Sequence, residues 1–420
     1  MNINNGQLSP IQIAYIIGRT HYLPLGGVGM HDFRVFNGDL DGQILHKCLL
    51  ILVQKYAALR TLIDADSFSQ KVLPQGAVQL TEICFRDKSR VEAVREADRL
   101  IAQYEHYVHA LKSPPWQLWL IQLPDGEVGA DKSMLMVSFD ALILDGYAIS
   151  KLLSELFEHY DMACLGLLEE KETTPMIGAL SEIDFFENKP EDAVYWQQKV
   201  QTMTQEMDFP WLKPLASIIC SKYKRQTKVI DQQDWQHLSQ IAAKQGILPN
   251  ALLNGIILQA LAAQNEGGRV YVAVPVSLSL YQEHLSNHST VLAITYEGAE
   301  EDSFFDRVKV LQVETFDALA HISFSGIEIA RLICDQMKTS VPFPIVLTNG
   351  LSWQRPPRRE YIRYTSGQTQ TPQVAMDVRS SYAHEGHLLI DVDYAVEAVS
   401  EEVVASIHEA ITRHIDRLLL

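Results

Sequence analysis

Apolar residues in the first half of the chain follow two different periods. Residues 44–59 and 149–160 carry apolar side chains at helical spacing, which predicts two amphipathic helices. Residues 116–123 and 134–139 are short apolar runs joined by a segment rich in Pro, Asp and Gly, which predicts a β-hairpin. This alternation of helices and strands is typical of an α/β layer fold.

The second half of the chain shows the same two periods. Residues 235–246 and 249–262 have helical spacing, and a proline at position 249 suits the first turn of the second helix. Residues 270–276 predict a buried strand. From Ser400 onward, two glutamates followed by apolar residues on one face predict a capped amphipathic helix.

Two polar stretches interrupt these patterns. Residues 169–175 predict a linker, so we expect an N-terminal lobe over residues 1–175 and a C-terminal lobe over residues 176–420. Residues 350–371 contain Pro, Gly and Arg and predict an irregular loop. Such a loop either lines a substrate tunnel or lies on the surface in solvent.

The composition indicates a globular protein with more than one lobe. The chain has 420 residues, of which 47% are apolar and 21% are charged, and this length predicts about two or three domains. No stretch approaches the ~18 uninterrupted apolar residues of a membrane helix. The N-terminus lacks the basic start and apolar core of a secretion signal. We therefore expect no membrane partner and a cytoplasmic location.

Charge and cysteine spacing exclude further classes of function. The formal net charge of −17 argues against nucleic acid as a partner, because a protein that binds the phosphate backbone needs a basic surface. The cysteines at positions 48, 84, 164, 220 and 334 lie far apart and form no CxxC pair. This pattern predicts reduced, buried thiols and neither a disulfide framework nor a zinc site.

The segment Ser138-Phe139-Asp140-Ala141-Leu142-Ile143-Leu144-Asp145-Gly146 places two carboxylates between a predicted strand and a predicted helix. Such junctions present polar groups to ligands. Two carboxylates without a third ligand do not define a metal site, so we expect no bound metal. The chain also lacks the GxxxxGK[ST] and GxGxxG nucleotide-binding patterns.

The spacing of these aspartates resembles the DxxxxD signature of heterocyclization domains of nonribosomal peptide synthetases, within the condensation-domain superfamily. Ordinary condensation domains carry HHxxxDG there, so Asp140 and Ala141 replace both histidines. Other motifs match in the family's order. They are Leu8–Arg19 (LTxxQxAYxxGR), Phe343–Thr348 (PVVFT) and Gln370–Asp377 (QTPQVxLD).

The resemblance implies a two-lobed chloramphenicol-acetyltransferase-like α/β fold with a tunnel between the lobes. It implies condensation of a carrier-bound acyl group with carrier-bound Cys, Ser or Thr, followed by cyclodehydration to a thiazoline or oxazoline. The partners implied are upstream and downstream peptidyl or aryl carrier proteins, which carry the phosphopantetheine. The domain itself is expected to bind no cofactor.

The resemblance also assigns roles to particular residues. Asp377 is expected to be the general acid/base, and Thr348 is expected to orient the carboxyl group or the departing hydroxyl. Gln373, Ala141 and Thr290 are expected at the substrate tunnel, although an alternating strand position also accounts for Gln373. These five positions form the predicted catalytic and tunnel set.

The two aspartates of the DxxxxD signature have different expected roles. Asp145 is expected to hold the backbone or to pair with an arginine, whereas the role of Asp140 is left open between the tunnel and structure. We expect loss of Asp145 to harm solubility before it harms ring closure.

Two departures from the family pattern keep other functions open. The family usually has Gly-Asp-Phe-Thr where residues 287–290 read Asn-His-Ser-Thr, and Asn349 replaces the serine after the PVVFT motif. His288 is either a compensating acid/base or a polar surface residue. The alternatives are a non-catalytic condensation-like domain that recruits carrier proteins, and a plain condensation enzyme that forms the amide without cyclising it.

Overall fold

A computed structural model describes residues 5–168, 189–203, 207–278, 284–298, 304–353, 359–383 and 386–420. The helices are α1 Pro10–Gly18, α2 Gly42–Lys55, α3 Arg90–Tyr104, α4 Gly146–Cys164, α5 Pro190–Gln201, α6 Gln232–Lys244, α7 Pro249–Ala262, α8 Phe304–Ala320, α9 Gly326–Met337 and α10 Glu401–Leu419. The strands are β1 Asn5–Gln7, β2 His31–Gly38, β3 Thr61–Asp64, β4 Ser69–Val72, β5 Leu80–Cys84, β6 Trp116–Gln122, β7 Ser133–Asp140, β8 Tyr223–Ile230, β9 Arg269–Ser277, β10 Ser289–Glu297, β11 Ile345–Asn349, β12 Ile362–Gln370, β13 Met376–Tyr382 and β14 Leu388–Ala395.

The first large sheet has five strands in the order β12-β2-β7-β6-β5. β6 and β7 are antiparallel neighbours, which confirms the predicted hairpin. Every residue of β7 is buried, and α2 and α4 pack together on this sheet through apolar side chains such as Leu49, Leu52 and Leu156. The buried face of α4 matches the helical spacing predicted from Ile149 to Tyr160.

The second large sheet has six strands in the order β10-β9-β11-β13-β14-β8. β11 runs parallel to both β9 and β13, and the remaining pairs are antiparallel. Its core is formed largely by α7 and by the apolar stripe of α10, including Val404, Ile407 and Ile411. The helices predicted at residues 235–246, 249–262 and 400–420 and the strand predicted at 270–276 are confirmed.

β12 crosses from the second half of the chain into the first sheet. It pairs with β2 in antiparallel register from Ile362 opposite Gly38 to Gln370 opposite His31. The expectation of an irregular loop over residues 350–371 is therefore wrong for residues 362–370, because β2 offers an open edge that satisfies their backbone hydrogen bonds. The predicted linker at 169–175 lies outside the described residues, so the lobe division at residue 175 stays a prediction. That division places β12 in the C-terminal lobe, although β12 pairs with the first sheet.

The cysteines differ from the sequence-based expectation. Cys48 is buried, but Cys84, Cys164 and Cys220 are exposed and Cys334 is half-buried. All five are free thiols. Cys84 and Cys164 are the last residues of β5 and α4, and Cys220 precedes β8, positions that the hydrophobicity of a single residue does not reveal.

The helices are short or polar relative to a membrane-spanning helix. Among the described residues, no single helix is long and apolar enough to cross a membrane. The consecutive helices α6 and α7 meet the length and composition criterion only when taken together, and they are bent by 105° relative to each other. Most of α7 is buried within the second core.

Candidate active site

A cavity of about 490 Å³ lies between the two large sheets, within the size range of small-molecule sites of roughly 300–1,000 Å³. Residues of β2 and β7 line it from the first sheet, and residues of β9, β11 and β13 line it from the second. Most of its wall is apolar, and a few polar groups converge on it. They include Tyr15, Asp32, Asp145, Thr348, Asn349, Gln373, Asp377 and Arg379.

The predicted catalytic residues Thr348 and Asp377 lie together in this cavity wall. The Thr348 Oγ1 hydroxyl donates a hydrogen bond to Asp377 Oδ1 over 2.9 Å. The contact follows from the parallel pairing of β11 and β13, in which Val346 lies opposite Asp377 and Thr348 opposite Arg379. The exposed fractions of Thr348 and Asp377 are only 9% and 5%, so the pair is shielded from bulk water.

Burial raises the pKa of Asp377 above the ordinary value for an aspartate. The positive charge of Arg379 and the hydrogen bond from Thr348 act in the opposite direction and lower the pKa in part. A carboxyl group whose pKa is raised by burial keeps its proton to a higher pH and can both donate and accept a proton near neutrality. The geometry therefore places a hydrogen-bonded carboxyl group, largely shielded from bulk water, in the cavity wall.

A buried ion-pair network connects β13, the strand that carries Asp377, to the first sheet. Arg379, two residues after Asp377 on the same face of β13, donates from Nη1 to Asp32 Oδ2 over 2.7 Å. Arg34 also binds Asp32, with its Nε 2.6 Å from Oδ1. Burial alone would raise the pKa of Asp32, but the charges of Arg34 and Arg379 outweigh it and hold this pKa well below its usual range.

Sequence reasoning missed Asp32, Arg379 and Tyr15. The signal for Arg379 was the two-residue period of a strand, which places it beside Asp377. Tyr15 was noticed only as part of a motif, yet its side chain lines the cavity. Burial raises the pKa of the Tyr15 phenol, and the carboxylates of Asp140, Asp145 and Asp377 raise it further.

Asp145 joins the two halves of the chain through hydrogen bonds. It is the N-cap of α4 and accepts from the Ala148 amide over 2.9 Å. Its other oxygen accepts from the Ser277 hydroxyl over 2.8 Å and from the His288 amide over 3.2 Å. Its contacts are with backbone and hydroxyl groups, as the backbone-holding expectation describes, and no arginine bridge to it is seen among the described residues.

Asp140 lies behind the cavity and is not one of its lining residues. Its carboxylate forms a salt bridge with Arg19 and accepts from the Leu142 amide over 2.9 Å. The side chain is fully buried. Burial raises the pKa of Asp140, while Arg19 and the Leu142 amide lower it in part.

The three predicted tunnel residues differ in their placement. Ala141 lines the cavity, and its carbonyl accepts from Asn287 Nδ2. Gln373 also lines it, but in a turn before β13 with a left-handed φ of 62°, so an alternating strand position does not account for it. Thr290 is not a lining residue: its hydroxyl instead accepts from the Gly326 amide over 3.2 Å at the start of α9. The structure thus does not place Thr290 in the cavity wall, and its tunnel position stays a prediction.

His288 is buried rather than on the surface, with an exposed fraction of 6%. Burial lowers its pKa to about 4, so the imidazole is neutral at physiological pH. It is not one of the residues that line the cavity. Within the described part of the chain, no group of three or more His, Cys, Asp or Glu side chains is arranged to hold a metal ion.

Comparison with known families matches residues 32–420 to the model of the condensation domain. Bacitracin synthase 1 of Bacillus licheniformis is 24% identical over 96% of this chain, and pyochelin synthetase PchF of Pseudomonas aeruginosa (strain UCBPP-PA14) is 23% identical over 88%. The aligned regions are 8% and 21% of those proteins' own lengths. The chain thus corresponds to a small part of each relative.

A solved structure has the same fold. The EpoB nonribosomal peptide synthetase cyclization-docking bidomain from Sorangium cellulosum superimposes with a TM-score of 0.84 at 20% identity. The match covers 99% of this chain and 85% of that one. The two-sheet α/β architecture with an intervening cavity is that of condensation and cyclization domains, and the chain belongs to the condensation-domain family of nonribosomal peptide synthetases.

Proposed function

We propose that the chain is a heterocyclization domain that forms an amide between two carrier-bound substrates and then cyclises it. The observation that carries this proposal is the Thr348–Asp377 pair, whose hydrogen bond lies in the wall of the cavity between the sheets. Ala141 at the position of the second histidine leaves no imidazole there for amide formation. The likeness to a cyclization domain supports the same subtype.

The proposed reaction has two stages. First, the α-amine of a carrier-bound Cys, Ser or Thr attacks the upstream acyl thioester, an amide forms, and the upstream thiol leaves with a proton. Second, the side-chain thiol or hydroxyl adds to the amide carbonyl, whose oxygen takes up a proton and becomes a hydroxyl. That hydroxyl departs as water with the proton of the ring nitrogen, which leaves a C=N bond in a thiazoline or oxazoline.

Asp377 is assigned to the proton transfers of the second stage. In its protonated form it donates to the departing hydroxyl, and as a carboxylate it accepts a proton from the ring nitrogen or the attacking side chain. Thr348 holds the carboxyl group in place through the hydrogen bond to Oδ1. Because Arg379 carries a positive charge on the same face, it stabilises the carboxylate form that remains after Asp377 has donated its proton.

The substrates are proposed to arrive on phosphopantetheine arms of upstream and downstream carrier proteins, as the family membership implies. Residues of both sheets line the cavity, and its wall is largely apolar, which suits such an arm. The domain itself is proposed to bind no cofactor. Because the curated relatives are much longer than this chain, carrier proteins would be supplied by neighbouring regions or by separate chains.

The test uses the full chain with two carrier proteins, one loaded with an acetyl group and the other with cysteine, serine or threonine. Intact-mass analysis of the second carrier distinguishes the amide from the ring, because cyclodehydration removes one further water. We expect the ring with the unaltered chain and the uncyclised amide with Asp377→Asn. Asp39→Asn, at an exposed aspartate, is the matched control.

Other outcomes identify the competing functions. If the unaltered chain forms the amide but no ring with all three acceptors, it is a plain condensation enzyme. No product, together with binding of the loaded carriers, would make it a recruitment domain.

A further inference from the structure

A second cavity, of about 90 Å³, lies directly beside the reaction cavity. We call it the side cavity. It is large enough for several water-sized groups, and its wall contains Phe36, Phe157, Tyr364, Arg34 and Arg225. Two residues, Trp353 and Arg379, line both cavities. These two side chains therefore form the partition between them.

Two glycines make room for the indole of Trp353. A Cβ atom at Gly146 would lie 2.6 Å from Trp353 Cζ2, and one at Gly350 would lie 2.8 Å from Cε3. Either distance is far below van der Waals contact, so any larger residue would displace the indole. Arg379 lies against the ring face, with its guanidinium carbon 5.3 Å from the ring centroid, a cation–π distance.

These contacts place the indole beside the reacting groups. Gly146 is next to Asp145 at the start of α4, and Gly350 follows β11, which carries Thr348. Arg379 is two residues from Asp377 on β13. The indole is thus packed against the elements that hold the catalytic pair, and its removal would join the two cavities without moving that pair.

We propose that Trp353 is a specificity-determining wall, which closes the reaction cavity against the side cavity and limits the size of the substrate group held beside Thr348 and Asp377. This inference rests on the proposed function, since it concerns the substrates of the same site. The group excluded by the indole belongs either to the upstream acyl chain or to the side chain of the acceptor amino acid.

The lining of the side cavity defines the chemistry of a larger group that would enter it. Arg34 and Arg379 are paired with Asp32, and Arg225 is paired with Asp391 and Asp393. Arg359, which also lines the side cavity, is paired with Asp161. Each of these cations thus has a carboxylate partner, and the cavity favours an uncharged group over a further carboxylate. Arg379 donates one of its five N–H groups to Asp32. A flat or aliphatic acyl group that ends in a hydrogen-bond acceptor fits this lining.

The test replaces Trp353 with Ala and, as a milder change, with Leu in the full chain. Synthetic pantetheine thioesters serve as donors in the order acetyl, butyryl, 4-methoxybutyryl and benzoyl, with seryl-pantetheine as a fixed acceptor. A second arm keeps acetyl as the donor and compares seryl with threonyl acceptors. Amide and ring products are measured separately by mass spectrometry, after subtraction of the reaction without protein.

We expect Trp353→Ala to raise kcat/KM for the larger donors relative to acetyl by at least about tenfold, the range by which a single group discriminates in a closed pocket. The arm that shows the change identifies which substrate faces the indole. If the large-to-small ratio is unchanged in both arms for the Ala and Leu variants, the wall proposal is overturned.

A second substitution that fills the side cavity distinguishes two causes of any gain for large donors: access to the side cavity, or a general loosening of the site. Ser150 lines only the side cavity, so Ser150→Leu should leave the selectivity of the unaltered chain nearly unchanged. In the Trp353→Ala chain it should cancel most of the gain for large donors. If the double variant keeps the full gain, the added space is not the side cavity and the proposal fails. Urea unfolding of each variant confirms that the comparison is between folded proteins.

Failure of the proposed function has a different signature. If the unaltered chain forms only amide, heterocyclization is wrong, but the donor-size ratio for amide formation still tests Trp353. If rings form and the ratio does not respond to Trp353, the function stands and the wall does not.

Discussion

The carboxyl groups of the β7–α4 junction and that of β13 are all buried, yet their surroundings differ. Asp140 and Asp145 are held by a salt bridge, a helix N-terminus and hydroxyl or amide donors from distant segments. Asp377, in contrast, has a single hydrogen-bond donor among the described residues, Thr348, and it faces the cavity. Both carboxylate oxygens of Asp140 and of Asp145 thus have protein partners, whereas Asp377 has one oxygen without a donor among the described residues.

This contrast shows that burial and a raised pKa do not by themselves identify a catalytic carboxyl group. Burial raises the pKa of all three aspartates. Asp145 lines the cavity as Asp377 does, but both of its oxygens already accept hydrogen bonds, and Asp140 is not a lining residue. What distinguishes Asp377 is that it lines the cavity and that one of its oxygens has no donor among the described residues. The comparison can be tested by removing each carboxylate and asking whether chemistry or stability is lost.

Asp377→Asn should have the largest effect and should act on chemistry. We expect ring formation to fall by about 10²–10⁴-fold, the usual contribution of a general acid/base, because the amide cannot exchange protons with the substrate. The measurement is single-turnover ring formation from the preformed amide. The midpoint of urea unfolding should stay close to that of the unaltered chain. Ring formation at an unchanged rate would remove Asp377 from the mechanism.

Asp140→Ala should act on stability. Removing one partner of a buried ion pair costs about 3–5 kcal/mol, because the Arg19 guanidinium would remain largely buried without its carboxylate. Urea denaturation measures this loss. Asp39→Ala is the control, since its salt bridge with Lys132 is exposed and is expected to contribute about 1 kcal/mol or less. A stable Asp140→Ala protein that fails to form rings would instead assign this carboxylate to the chemistry.

Asp145→Ala should destabilise the protein by about 2–3 kcal/mol, from the loss of a helix cap and of partners for two buried donors. The donors left behind are the Ser277 hydroxyl and the His288 amide. Asp41 caps α2 at an exposed site and accepts only neighbouring amides, so Asp41→Ala should cost about 1 kcal/mol. Equal effects of the two substitutions would contradict a role for Asp145 in joining the halves of the chain.

Local spacing predicted the elements around the site, but it did not predict their long-range pairing. The hairpin of β6 and β7 and the helix α4 follow from patterns within short, continuous stretches of the chain. β12 was missed because its partner β2 lies more than 300 residues away in the sequence. Its alternation is also weak, with polar residues on both faces.

The same limit applies to the site. Thr348 and Asp377 were identified by motif, and their contact depends on the parallel register of β11 and β13, which no sequence spacing specifies. Asp32 lies on the other sheet, so its pairing with Arg379 required the packing of the two sheets. The tunnel position of Thr290 stays a prediction, because one matching residue in a diverged motif does not fix the direction of its side chain.

Thr348→Val should have the smallest effect of the series, and it tests the one hydrogen bond that Asp377 accepts among the described residues. Valine keeps the shape but removes the hydroxyl, and loss of one hydrogen bond of about 0.5–1.5 kcal/mol predicts a roughly 2- to 12-fold slower ring closure. Because the Thr348 hydrogen bond lowers the pKa of Asp377, its loss should raise that pKa. The carboxyl group then stays protonated to higher pH, so the alkaline limb of the pH–rate profile should move upward. Thr348→Ser should restore both rate and profile, whereas a Ser variant as slow as Val would show that threonine acts through packing and not through its hydroxyl.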